Sequence, residues 1–157
     1  MKIILVGKAA SGKDFLKRKM QKKGFNAGVS HTTRPARANE VDGVDYHFVD
    51  EVKFIEMIGQ DKFIEYMEFN GWFYGQTEDD FNAADVMIMS KDGLDMLPKK
   101  YRDQCMVIYL DVPMDERLKR LSSRNDKNDS IERRVSTDEA QFSAFTDYEI
   151  RITNPDF

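Results

Sequence analysis

The N-terminal stretch MKIILVGKAASGKDF constrains the fold of this chain more than any other segment. Ile3 to Val6 form a continuous apolar run, which is typical of a strand buried on both faces of a parallel sheet. The sequence GKAASGKD follows directly and departs from the phosphate-binding loop G-x-x-x-x-G-K-[ST] only at its last residue, Asp14. A helix is predicted from Lys13, so the segment has the strand–loop–helix order that phosphate binding requires.

The residue types of this loop predict a site for the phosphates of ATP. Glycines let backbone N–H groups converge on phosphate oxygens, and the helix N-terminus adds the positive end of its dipole. The lysine is expected to reach the β- and γ-phosphates. The alternative is an ordinary turn between a strand and a helix that contains a lysine by chance. The predicted ATP-binding residues are Gly7, Ala9, Ala10, Ser11, Gly12, Lys13 and Asp14.

Strands and helices alternate along the rest of the chain, which predicts an α/β fold with a P-loop parallel sheet of about five strands flanked by helices. Residues 31–81 differ, because they are rich in turns and aromatic residues and read as a small mixed β insertion. We therefore predict one domain with a core of residues 1–30 and 82–157. The insertion, residues 31–81, would bind a nucleoside monophosphate, and a helical lid would cover about residues 120–134.

The segment SHTTRPARANEVDGVDYHF places two guanidinium groups close together in the insertion. Arg34 and Arg37, together with the phenol of Tyr46, have the donors to hold one phosphate group by bidentate hydrogen bonds. The alternative is a solvated basic loop.

The sequence FIEYMEFNGWFYGQT predicts a β-hairpin with a two-residue turn at Asn70-Gly71. Such a turn pairs Phe69 with Trp72, Met67 with Tyr74, and Glu65 with Gln76, and it places these six side chains on one face. A carboxylate, a phenol and an amide beside an aromatic wall suit a purine base. The alternative is a hairpin with one wet face, on which Glu65 is merely solvated.

Five arginines surround a polar break, residues 125–129, near the end of the chain: Arg117, Arg120, Arg124, Arg133 and Arg134. A helix–loop–helix with this charge describes a lid that closes over polyphosphate and stabilises a transferring phosphoryl group. The alternative is a set of exposed helix faces with salt bridges to Asp115 or Glu116.

The composition excludes several other classes of function. A formal net charge of −4 argues against a general nucleic-acid binder, and no apolar run is long enough for a membrane or signal segment. A single cysteine, Cys105, fits a cytoplasmic protein. His31 and His47 lack a partner at metal-ligand spacing, so no histidine metal site is expected. The expected partners are small-molecule nucleotides, and the chain is expected to be a monomer or a homodimer.

Taken together and in this order, the motifs resemble the guanylate kinase family of P-loop nucleoside monophosphate kinases. The resemblance covers nearly the whole chain and implies ATP-dependent phosphorylation of GMP or dGMP with Mg²⁺. It implies that Ser30 and Glu65 contact guanine and that Arg34, Arg37, Tyr46 and Tyr74 hold the acceptor phosphate. Gln76 and Ser90 are expected to bind the nucleoside monophosphate as well. The catalytic residues that it implies are Lys13, Arg34, Arg120, Arg124 and Arg134.

Four features depart from the family pattern. Asp14 replaces a Ser or Thr, Gln76 stands where a small hydroxyl residue is common, Ser90 stands where Asp is usual, and the chain ends at Phe157 without the family's final helix. The Gly-Lys-Asp ending resembles phage deoxynucleoside monophosphate kinases, which keeps other acceptors such as dTMP open. A non-catalytic binding module of the same fold is the other alternative. We expect Asp14 either to face Mg²⁺, in exchange with Ser90, or to cap the helix start, where a carboxylate is favourable.

Overall fold

The computed structural model describes residues 1–124 and 130–157. Its strands, in chain order, are β1 (Lys2–Gly7), β2 (His31–Thr32), β3 (His47–Phe48), β4 (Phe63–Phe69), β5 (Trp72–Thr77), β6 (Val86–Ile88), β7 (Cys105–Leu110) and β8 (Ile150–Ile152). Its helices are α1 (Lys13–Gln21), α2 (Glu51–Gly59), α3 (Glu78–Ala83), α4 (Lys91–Met96), α5 (Lys99–Arg102), α6 (Met114–Ser122) and α7 (Ile131–Phe142).

The central sheet contains four parallel strands in the order β6-β1-β7-β8, which confirms the predicted α/β fold. Ile4, Leu5 and Val6 of β1 have no exposed surface, as expected for the middle of a sheet with helices on both faces. Aromatic side chains from β7 and α7 complete the core, where the rings of Tyr109 and Phe142 stack with centroids 5.2 Å apart.

The expected fifth strand, residues 25–30, is reduced to a single bridge between Ala27 and Val86. The Gly28 N–H donates to the Val86 carbonyl at 2.7 Å, close to the side chain of Ala84. The chain then leaves the central sheet and enters the second sheet as β2. Its run beside β6 is therefore too short to form a strand.

The insertion forms a separate mixed sheet in the order β3-β2-β5-β4. The hairpin register is the predicted one, with Glu65 opposite Gln76, Met67 opposite Tyr74, and Phe69 opposite Trp72. Asn70 and Gly71 have φ values of 56° and 77°, as a type I′ turn requires.

Helix α2 covers one face of this mixed sheet and gives the insertion a small core of its own. Phe54 is fully buried and stacks on Phe63 and Phe73, with centroid distances of 4.4 and 5.3 Å. A side chain at Gly75 would meet the Phe63 ring at 2.7 Å, so the glycine lets the ring lie flat against the sheet. The other face, which carries Glu65 and Tyr74, is left open toward the central sheet. In the described residues, every helix is too short or too polar to cross a membrane.

Candidate active site

The phosphate-binding loop follows β1 at the carboxyl edge of the central sheet. A Cβ at Gly7 would lie 2.6 Å from both the Leu110 carbonyl oxygen and Ser11 Oγ, so this position admits only glycine. Gly12 has a φ of 96°, in the left-handed region, and turns the chain directly into α1. The loop and helix therefore have the local geometry that the motif predicts.

Lys13 folds back over its own loop. Its Nζ donates to the carbonyl oxygens of Gly7 at 2.6 Å and Lys8 at 3.1 Å. Burial lowers the pKa of Lys13, and the nearby carboxylates of Asp14 and Asp138 partly oppose this effect. The ammonium group is thus held at the loop by groups that an anion can replace.

Asp138 of α7 is a member of the site that the sequence analysis missed. Its Oδ2 accepts the backbone N–H of Ala9 in the loop at 2.8 Å and lies 3.4 Å from Arg117 Nη1. Burial raises the pKa of this carboxyl group, although the bond from Ala9 opposes the shift. No local motif marks Asp138, because its partners are far away in the sequence.

Glu40 organises the two arginines of the insertion. Arg34 is 5% exposed and donates to both Glu40 oxygens at 2.9 and 3.0 Å, while the backbone N–H of Arg37 donates to Glu40 at 2.7 Å. Burial alone would raise the pKa of Glu40, but the hydrogen bonds and positive charges of Arg34 and Arg37 together lower it. Arg34 also lies over the Tyr46 ring, 5.5 Å from its centroid. Glu40 therefore holds the predicted phosphate clamp in shape.

Glu65 is buried in the same cleft rather than solvated. The residue is 9% exposed, and its side chain packs against Gly93 of α4, where an added Cβ would lie 3.0 Å from Glu65 Oε2. Burial raises the pKa of Glu65 to about 8, and a backbone hydrogen bond from Gln76 only partly opposes it. A buried carboxyl group of this kind needs a ligand that donates hydrogen bonds when it ionises.

Ser30 and Gln76 form a polar pair beside Glu65. Ser30 Oγ donates to Gln76 Oε1 at 2.8 Å. Within the described residues, the fully buried Gln76 Nε2 has no hydrogen-bond partner. A buried unpaired amide donor is costly, and an acceptor group on a base bound nearby would relieve that cost.

Ser90 caps α4 rather than reaching the phosphate loop. Its Oγ accepts the backbone N–H of Gly93 at 3.0 Å and donates to Met67 Sδ at 2.8 Å. Among the described residues, no side chain caps the start of α1: Gly12 holds the N-cap position, and Asp14 lies exposed in the first turn rather than capping the helix. An exposed carboxylate at the phosphate loop offers the hard oxygen ligand that Mg²⁺ prefers, so the residues present fit that ion.

The predicted lid arginines have different environments. Arg124 and Arg134 line the cleft, and Arg133 lies 5.5 Å from the centroid of the Phe69 ring at the hairpin tip. Arg120 instead donates to the carbonyl oxygens of Ala10 and Pro155 at 3.1 and 3.2 Å. The middle of the predicted lid, residues 125–129, lies outside the described residues.

Arg117 is buried and contacts α7, rather than Asp115 or Glu116 as in the alternative of exposed helix-face salt bridges. It is 1% exposed and reaches the Val112 carbonyl at 3.1 Å, as well as Asp138 and Glu139 of α7 at 3.4 Å. This residue therefore joins α6 to α7.

One cleft between the two sheets brings most of the predicted residues together. Outside its lining lie Gln76, behind Ser30, and Arg120. The predicted residues that line it are Gly7, Ala9, Ala10, Ser11, Gly12, Lys13, Asp14, Ser30, Arg34, Arg37, Tyr46, Glu65, Tyr74, Ser90, Arg124 and Arg134. A phosphate loop at one end and a buried carboxyl group at the other suit two nucleotides that meet at their phosphates.

Comparison with known proteins finds a matching family profile and related proteins along the chain. The family profile described as guanylate kinase matches residues 1–157. A guanylate kinase of Legionella pneumophila (strain Paris) is 33% identical over 141 residues, which cover 85% of this chain and 67% of that protein. A guanylate kinase of Francisella tularensis subsp. holarctica is 28% identical over 159 residues, covering 96% of this chain and 84% of that protein.

A solved structure shows the same fold. The crystal structure of guanylate kinase from Anaplasma phagocytophilum superposes with a TM-score of 0.71 at 23% identity, covering 99% of this chain and 77% of that one.

Proposed function

The chain belongs to the guanylate kinase family, and we propose that it transfers the γ-phosphoryl group of ATP to the phosphate of GMP or dGMP. The observation that carries the choice of acceptor is the buried Glu65, which lies in the same cleft as the phosphate loop. Guanine presents N1–H and an exocyclic amine side by side, and an ionised Glu65 can accept from both. Adenine has an acceptor at N1 and would face the carboxylate with a lone pair.

The residues around the acceptor base and phosphate have separate roles in this proposal. Ser30 and Gln76 would complete the base site, with Ser30 lining the cleft and Gln76 holding the Ser30 hydroxyl group from behind. Arg34, Arg37, Tyr46 and Tyr74 would hold the acceptor phosphate, and Glu40 supports their geometry. Charge-assisted bidentate bonds orient a phosphate as well as bind it, which is the main requirement for in-line transfer.

The donor end of the cleft would stabilise charge on the transferring phosphoryl group. Lys13 would exchange its bonds to the Gly7 and Lys8 carbonyls for phosphate oxygens, and Arg124 and Arg134 would neutralise the same charge from the lid side. Arg120 would act indirectly, by fixing the Ala10 backbone of the loop. Closure of the lid and the insertion around both nucleotides would exclude water and suppress ATP hydrolysis.

Asp14 is the candidate for holding Mg²⁺, directly or through a bound water. An ion held there would supply positive charge that offsets the negative charge of the ATP phosphates. The exposed position of the Asp14 carboxylate supports this role. Ser90 would not exchange roles with it as a metal ligand, because its hydroxyl group already caps α4.

We infer that residues 1–30 and 82–157 form the core of one domain. Residues 31–81 would form the acceptor-binding insertion, and a lid would cover about residues 120–134. We also infer a cytoplasmic monomer or homodimer that acts on free nucleotides rather than nucleic acid. The net charge of −4, together with a cleft that several lysine and arginine side chains line, supports small anionic substrates. A binding module of the same fold would have no need of Lys13 at an intact phosphate loop.

A coupled assay of ADP release tests this function across GMP, dGMP, AMP, UMP, CMP and dTMP. We expect kcat/KM for GMP or dGMP to exceed that for AMP by roughly 10⁴, since a site built for a hydrogen bond rejects an analogue that lacks it. Glu65→Gln should reduce this preference, whereas Glu68→Gln, on the exposed side of the same strand, should preserve it. Comparable values for AMP would overturn the guanine assignment, and a preference for dTMP would support the alternative acceptor.

A further inference from the structure

The face of the mixed sheet that points away from the cleft brings together the two histidines of the chain and one carboxylate. Asp80 lies between them: its Oδ2 is 3.5 Å from His31 Nδ1, and its Oδ1 is 3.5 Å from His47 Nε2. One ligand atom from each of the three residues lies within 4.8 Å of the other two. The sequence spacing hid this cluster, because each residue comes from a different element.

The backbone explains why the three side chains meet. His31 and His47 are direct neighbours in the parallel pairing of β2 with β3, so their rings share a face and lie with centroids 4.5 Å apart. Asp80 is in the first turn of α3, and the Thr77 hydroxyl group at the N-cap donates to its Oδ2 at 2.5 Å. This bond fixes the orientation of the carboxylate, as outer partners of metal ligands commonly do.

A buried nitrogen in this cluster lacks a partner. His31 Nδ1 has no hydrogen bond within the described part of the chain, although its side chain is only 13% exposed. The distance of 3.5 Å to Asp80 is too long for a good hydrogen bond. Buried ring nitrogens are rarely left unpaired in native proteins, so this atom points to an unassigned ligand between the rings and the carboxylate.

We propose that His31 Nδ1, His47 Nε2 and the Asp80 carboxylate bind a first-row divalent metal ion of the Zn²⁺ class, with water in the remaining position. Imidazole and carboxylate ligands together suit Zn²⁺, Co²⁺ and Ni²⁺, whereas Mg²⁺ and Ca²⁺ prefer oxygen ligands alone. Zn–N and Zn–O bonds of about 2.0–2.2 Å place tetrahedral ligand atoms roughly 3.3 Å apart. Each ring nitrogen lies 3.5 Å from one Asp80 oxygen, and the three ligand atoms lie within 4.8 Å of one another, so small side-chain shifts would complete the set.

The position of this site implies a structural role. Ser30, Tyr46 and Gln76 each precede one residue of the cluster or its cap, namely His31, His47 and Thr77. Because successive residues of a strand face opposite sides, the metal would tie together, from behind, the segments that present the acceptor-binding side chains. The proposed ion is therefore separate from the Mg²⁺ of the phosphate cleft.

Metal titration of the chelator-treated full chain tests the proposal without any measurement of phosphoryl transfer. In the unsubstituted protein, long-range ¹H–¹⁵N NMR should show Zn²⁺ bound at His31 Nδ1 and His47 Nε2, and Co²⁺ should give a visible absorption band of nitrogen-ligated metal. Zn²⁺ affinity, measured by competition with an indicator dye, should fall at least about tenfold in His31→Gln, His47→Gln and Asp80→Asn.

The neighbouring Asp79 supplies the control, because it is exposed on the same helix. Asp79→Asn removes an equal charge and should leave Zn²⁺ affinity unchanged. Unshifted histidine nitrogens at millimolar Zn²⁺ would overturn the proposal and leave two plain histidine–aspartate ion pairs. Equal Zn²⁺ affinity in Asp80→Asn and Asp79→Asn would overturn it as well.

Discussion

The buried carboxyl group of Glu65 should make the stability of the empty protein depend on pH in a way that one substitution removes. Burial raises its pKa from an ordinary value of 4.5 to about 8. Between these values the folded protein holds a proton that the unfolded chain has lost. The free energy of unfolding should therefore be highest, for this group, below pH 4.5 and should fall as the pH rises toward 8.

The magnitude follows from the size of the shift. Each pH unit in this window should cost about 1.4 kcal/mol of stability, and the whole window on the order of 5 kcal/mol. Glu65→Gln keeps the shape of the side chain and removes its titration. The variant should match the parent protein at about pH 4, below the window, and become more stable than it by roughly 1.4 kcal/mol per unit as the pH increases through the window.

Urea unfolding of both proteins at several values between pH 5 and 8 gives the required comparison. The quantity to plot is the difference in unfolding free energy between Glu65→Gln and the parent, since other titrating groups cancel in it. Glu68→Gln serves as the control, because Glu68 is exposed on the same strand and its substitution removes no buried group. A difference that stays constant with pH for Glu65→Gln would refute the claim that this carboxyl group is buried and protonated.

Three further substitutions test the phosphate end of the cleft. Lys13→Ala should lower kcat/KM in the ADP-release assay by at least about a hundredfold, because a positive charge is lost where phosphate charge develops, and unchanged turnover would contradict that role. Asp14→Asn should weaken the use of MgATP sharply and leave metal-free nucleotide binding unchanged or tighter, whereas an unaltered Mg²⁺ dependence of turnover would leave Asp14 only a helix-start role. Asp138→Asn keeps an acceptor for the Ala9 N–H but removes a negative charge beside the phosphate loop. Metal-free ATP should therefore bind roughly three- to tenfold more tightly in a calorimetric titration. Weaker ATP binding would count against electrostatic repulsion between Asp138 and the phosphates.

Local sequence signals predicted the parts of this structure that depend on neighbouring residues. The Asn70-Gly71 turn set the hairpin register, and the register in turn placed Glu65 and Tyr74 on one face. The glycines of the phosphate loop were equally informative, because Gly7 and Gly12 are required by close contacts and a positive φ that few other residues allow.

Contacts between distant segments were not predictable in the same way. Asp138 reaches Ala9 across most of the chain, and His31, His47 and Asp80 meet only after three elements have packed. The expected strand at residues 25–30 failed for a related reason, since the chain changes sheets after Gly28 and leaves β6. These features are set by the packing of whole elements, which a sequence window does not record.

The hairpin also gives the protein an optical property. Trp72 is the single tryptophan of the chain, and it lies opposite Phe69 at the rim of the cleft, on the strand that carries Tyr74. Its indole emission should respond to a purine that stacks against the aromatic wall and much less to ATP at the distant phosphate loop. Stopped-flow fluorescence of the unlabelled protein would therefore time the arrival and departure of the acceptor alone, and so give its residence time separately from that of the donor.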